Sequence, residues 1–132
     1  MQNEKIPVSQ KLLVGIKKLC EENKAIFLVS LCTTDGFSIQ SVMTKGLSSE
    51  ADKLAAMSST ISALSDSSSK QVLQDECNIT IVEANAGNML FVKTTYLGNP
   101  CVLTIAARAK LALATARHKT KVFASEISEI TE

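Results

Sequence analysis

The longest patterned run in the chain lies between Ser48 and Val72, where apolar and small residues trace two separate stripes on one predicted helix. Leu54, Met57, Ser58, Ile61, Leu64 and Val72 recur at helical spacing, as a helix lying on an apolar sheet requires. Roughly a quarter turn away, Ala51, Ala55, Ser59, Ser62, Asp66 and Ser69 form the second stripe. Side chains this short either cover a solvated face or let another backbone come close, and the stripe by itself favours solvent. Ser49 with Asp52 after it has the shape of a capping box, and Glu50 and Asp52 suit the positive end of the helix dipole. The far end is weaker, since Ser65-Asp66-Ser67-Ser68-Ser69 is poor helix material that would fray or form a loop.

The same reading predicts a first helix over Ser9 to Asn23, with Val8, Leu12, Leu13, Ile16, Leu19 and Cys20 as its apolar stripe and Gly15 as a hint of close packing. Ala25 to Thr33 is apolar on both faces, the pattern of a strand covered on both sides. Asp35-Gly36 supplies a tight turn, and Phe37 to Met43 alternates as a more exposed partner strand. Three further strands follow over Cys77 to Ala84, Asn88 to Thr94 and Pro100 to Ala107, joined by short turns at Asn85-Ala86-Gly87 and Leu97-Gly98-Asn99. A last helix spans Arg108 to Ile130, with a break or bend near His118 to Thr120.

The element order is therefore α-β-β-α-β-β-β-α, an α+β chain with helices flanking an antiparallel five-stranded sheet. Placing the two most apolar strands, Ala25 to Thr33 and Pro100 to Ala107, side by side gives the spatial order 2-1-5-4-3. Strand Cys77 to Ala84 is then an edge, and its middle, Asn78-Ile79-Thr80-Ile81-Val82, has no charge, proline or glycine to discourage pairing with another strand. An open edge beside a small-residue helix points to a dimer, with Ala51, Ala55, Ser59, Ser62, Asp66, Ile79 and Ile81 at the seam. Arginine at Ala55 is then expected to break the dimer, and arginine at Ser67 to leave it intact.

Composition narrows the function further. The 132 residues make one domain over 1–132, long enough to need no disulfide or metal to fold. Net charge is +1, divided as +2, −3 and +2 over residues 1–24, 25–107 and 108–132, so no strong field for nucleic acid or anionic membrane arises. No apolar run would cross a bilayer or serve as a signal peptide, which places the chain in the cytoplasm without membrane insertion. Its four cysteines, Cys20, Cys32, Cys77 and Cys101, lie far apart and read as buried structural thiols in a reducing compartment. The single histidine, His118, sits in the basic run Arg117-His118-Lys119-Thr120-Lys121 with no partner for catalysis. Arg108, Lys110, Arg117, Lys119 and Lys121 form the main basic cluster, which suits an acidic protein surface better than RNA because stacking aromatics are scarce and the one tyrosine, Tyr96, is placed in a turn. Neither phosphate-binding glycine motif occurs, so nucleotide binding by the chain itself is not expected.

The element order, the hairpin Leu28-Val29-Ser30-Leu31-Cys32-Thr33-Thr34-Asp35-Gly36-Phe37-Ser38-Ile39 and the helix Ala51-Asp52-Lys53-Leu54-Ala55-Ala56-Met57 together resemble the roadblock family. That family includes roadblock-type dynein light chains, MglB proteins and small scaffold subunits that anchor or regulate Ras-like GTPases. Asn88-Met89-Leu90-Phe91-Val92 resembles the family's fourth strand, and the likeness runs from Ser9 to Ile130; the serine-rich tail of the middle helix and the long last helix depart from it.

The resemblance implies a homodimer, or a heterodimer with a related chain, in which the middle helices pack antiparallel and the third strands pair across the seam. It further implies a non-enzymatic regulator or scaffold for a small Ras-like GTPase or a larger protein complex, with no cofactor, metal or catalytic residue of its own. MglB-like members stimulate hydrolysis by positioning the GTPase's own residues. The competing expectations are a structural light-chain subunit of a motor or signalling complex, and a small-molecule sensory module built on the polar core positions Ser30, Cys32 and Thr104.

Overall fold

The structure, a computed structural model, describes residues 6–44 and 50–132. Its elements are α1 (Gln10–Glu22), β1 (Ile26–Thr33), β2 (Ser38–Met43), α2 (Ala51–Leu73), β3 (Thr80–Glu83), β4 (Gly87–Tyr96), β5 (Asn99–Arg108) and α3 (Leu113–Ser128). The five strands pair antiparallel in the order β2-β1-β5-β4-β3, as expected. Residues on the central strand β5 alternate between two apolar layers. Leu103, Ile105 and Ala107 join Leu12 and Ile16 of α1 and Phe123 and Ile127 of α3 in the larger core. On the other face Val102 packs with Cys32, Ala55 and Phe91, and Ala106 with Leu28 and Leu54, beneath α2.

Local chemistry explains most element ends. The Ser9 side chain accepts a hydrogen bond from the Lys11 backbone N–H and caps α1. Gly15 lets α1 and α3 approach, since a Cβ there would stand 2.9 Å from the Phe123 ring. Tyr96 is not in a turn: it ends β4, fully buried, where its hydroxyl accepts from the Ser9 N–H at 2.8 Å and donates to the Pro7 carbonyl at 2.7 Å. The last helix starts at Leu113 rather than Arg108, because β5 runs on through Arg108. It also continues unbroken past His118, with the buried Thr120 hydroxyl donating to the Ala116 carbonyl one turn back.

Two corrections concern α2. The capping box expected at Ser49 lies outside the described residues; the N-cap position falls on Glu50, whose side chain makes no capping bond. Far from fraying at Ser65 to Ser69, the helix continues to Leu73 and stops at Gln74 with φ of 59°. The third strand is correspondingly shorter than expected, because Cys77 gives its backbone N–H to Asp66 on α2 before the chain reaches β3.

The larger correction is rotational. The residues α2 buries are Leu54, Ala55, Ser58 and Ser62, taken from both predicted stripes. Met57, Leu64 and Val72, expected against the sheet, point to solvent. The sheet beneath α2 carries bulk in Phe91, Val102, Leu28 and Met89, so close packing is completed by short side chains from the helix.

Candidate interaction surface

The outward face of α2 carries large apolar side chains among its polar ones. Met57 is 48 % exposed, Leu64 64 % and Val72 75 %. Met57, Thr60, Leu64, Ser67 and Gln71 recur at alternating steps of three and four, so Met57 and Leu64 share one exposed face of the helix. Met57 and Leu64, which the sequence pattern assigns to the core, instead stand on this exposed face. Val82 on β3, also exposed, extends the apolar surface toward the sheet edge.

Among the described residues no strand pairs with the outer side of β3. Ala84 and Gly87 exchange both backbone hydrogen bonds, at 2.9 and 3.3 Å. The antiparallel alternation then turns the backbone groups of Val82 and Thr80 inward to β4 and those of Ile81 outward. Ile81 and Ile79 are half-buried, Ile79 against the larger core, so Ile81 offers an outside strand its backbone rather than its side chain.

The remaining sequence-selected residues divide. Ala55 is 0 % exposed and Ser62 is buried, both enclosed by the chain's own sheet, so their side chains are not available to a second chain. Ala51, Ser59 and Asp66 are half-buried along the flanks of α2. Asp66 anchors a network that holds the end of the helix to the sheet. Its carboxylate accepts from the Cys77 N–H at 3.0 Å and pairs with Lys93 at 3.0 Å and Lys70 at 3.1 Å. The Cys77 N–H first, then the Lys93 and Lys70 ammonium groups, hold this carboxyl well below the usual carboxylate range.

A pH dependence follows with a definite sign. The network's contribution is complete above the ordinary carboxylate value of 3.8 and is lost as pH falls below it, because the unfolded chain then takes up a proton that folded Asp66 resists. Asp66→Asn is expected to lower the urea midpoint at neutral pH and to flatten its decline below pH 4. Equal acid sensitivity in both proteins would assign that decline to other carboxylates.

The thiols are poorly placed for chemistry. Burial pushes the Cys32 thiol up to about 11 and the Cys101 thiol up to about 12. Ser30, Cys32 and Thr104 lie closed beneath α2, with the Thr104 hydroxyl bonded to Ser58 at 2.9 Å and the Cys32 Sγ directed at the Ala55 carbonyl at 3.7 Å. His118 is exposed. Among the described residues no three His, Cys, Asp or Glu side chains gather to hold a metal ion, and no helix is long and apolar enough to cross a membrane.

No protein-family model and no curated protein sequence matches the chain. Solved structures do. A structure described as MglB with tetrameric arrangement superposes with a TM-score of 0.81 over 99 % of this chain and 97 % of its own, at 12 % identity. Myxococcus xanthus MglB gives 0.79 over 93 % and 96 % at 18 % identity. A Roadblock/LC7 domain from Streptomyces avermitilis gives 0.70 over 84 % and 89 % at 17 % identity. The chain therefore has the roadblock fold. Its neighbours in structure, MglB and Roadblock/LC7 domain proteins, are of the family that the hairpin and middle helix resemble, and at these identities the likeness is one of fold.

Proposed function

We propose that the chain is a non-enzymatic, dimeric regulator or scaffold for a small Ras-like GTPase, acting in the cytoplasm. The observation that carries this reading is that α2, with Met57 and Leu64 exposed, packs on the edge strand β3, so one two-fold copy would cover both together. In this arrangement Met57 and Leu64 meet their counterparts, and Ile79 and Ile81 join through the strand edge. Ala51, Ser59 and Asp66 flank the contact, while Ala55 and Ser62 support it from beneath. The fold shared with MglB supports the choice of a GTPase as partner, and the four free thiols suit a reducing cytoplasm.

The test is retention of a GTPase. The immobilised full chain is expected to hold a Ras-like GTPase from native lysate in one nucleotide state, GDP-bound or bound to a non-hydrolysable GTP analogue, and to release it in the other. Stable assembly with other proteins and no nucleotide-sensitive GTPase would overturn the reading in favour of a light-chain subunit.

A further inference from the structure

The second sheet edge has a different character from the first. β2, at the opposite end of the sheet from β3, reads Ser-Ile-Gln-Ser-Val-Met, without charge or proline, and every residue of it is half-buried. Among the described residues no strand pairs with its outer side, which suits the addition of another strand. Beneath it, between α1 and the β1–β2 end of the sheet, opens a groove of about 350 Å³. Its walls include Leu13, Ile16, Ile26 and Val42, and Lys17 and Lys24 stand at its rim with Glu21 between them in sequence. Among the described residues neither lysine is paired with a carboxylate.

We propose that this edge and groove receive an extended, acidic and aliphatic segment of a partner protein as a sixth strand. The register supplies the geometry. Thr44 donates its backbone N–H to the Phe27 carbonyl at 2.9 Å, and the pairing continues through Val42 with Val29 and Gln40 with Leu31. Antiparallel alternation then turns the backbone groups of Ser41 and Met43 outward. A strand bonded to those two places the residue opposite Val42 on Val42's own face, over the groove, which has room for one or two aliphatic side chains. Residues two positions to either side share that face and reach toward the lysines, so acidic side chains there complement the rim. The site does not depend on the α2 seam, since a monomeric chain would carry it equally.

The test uses the full chain, isotope-labelled for NMR, with two end-capped synthetic peptides, Thr-Glu-Thr-Leu-Thr-Glu-Thr and its lysine counterpart. The glutamate peptide should shift the Ser41, Val42 and Met43 amides and the Leu13 and Ile16 methyls, and should bind about fivefold or more tightly than the lysine peptide. A chain carrying both Lys17→Glu and Lys24→Glu, two exposed changes that leave the core untouched, should reverse the preference. No shift at millimolar peptide, equal affinity for both peptides, or shifts confined to β3 would each overturn the proposal. So would acetyl-leucine amide alone reproducing the shifts, as a small-molecule pocket would, or protein concentration alone doing so, as self-pairing through β2 would.

Discussion

An Ala55→Arg chain is expected to lose its fold, not merely its partner. Ala55 has no exposed surface and sits against Cys32, Phe91 and Val102. Arginine there must displace those neighbours and carry a charge into an apolar layer. Overpacking alone costs about 1–3 kcal/mol, and an unpaired buried charge adds several more. The total approaches the whole stability of a small domain, about 5–15 kcal/mol. Ala55→Leu keeps the change apolar and should cost about 1–3 kcal/mol, read as a lowered urea midpoint by circular dichroism. A wild-type midpoint for Ala55→Leu would mean that α2 does not rest on the sheet through this residue.

The outward face should behave in the opposite way. A Met57→Asp, Leu64→Asp chain should keep its circular dichroism spectrum, because both side chains already face water. Its self-association should fall by at least about a hundredfold, since each large apolar residue is worth about 1.5–3 kcal/mol on burial and a two-fold seam counts every change twice. Ser67→Arg belongs with this variant, because Ser67 stands on the same exposed stripe. Arginine at Ser67 is thus expected to weaken pairing while the chain stays folded, whereas arginine at Ala55 acts on the fold itself. Light scattering at micromolar concentration decides the matter: a variant that remains dimeric places the seam elsewhere.

Why the strand order was readable and the helix face was not comes down to where the information sits. Ile26 to Thr33 and Cys101 to Ala107 are apolar on both faces, and only the middle of a doubly covered sheet accommodates such strands. The turn at Gly36, with φ of 97°, is a local requirement that Asp35-Gly36 announces. Which stripe of α2 meets the sheet depends instead on the sizes of Phe91 and Val102, supplied by two other strands. The helical Ser65 to Ser69 run likewise overrides its weak propensity through Asp66, whose partners Cys77 and Lys93 lie well along the chain. Tyr96 and Ser9, 87 residues apart, form a bond that no local pattern reports. Of the candidate surface, the open edge at Ile79 and Ile81 was legible from composition alone, whereas Met57 and Leu64 were hidden by their resemblance to core.

The bed on which α2 lies has a consequence for how the chain responds to dilution. Beneath the helix are the Thr104 and Ser58 hydroxyls, the unpartnered Ser30 hydroxyl, Ala55 and Ser62, and only Leu54 among its large apolar residues is buried. By apolar burial this is a weak grip compared with that of α1 and α3, which press Leu12, Ile16, Phe123 and Ile127 into the larger core. In the pair proposed above, the exposed stripe of each α2 would gain a second surface to rest on. If the chains pair in this way, dilution is expected to lower amide-exchange protection in α2 more than in α1 or α3.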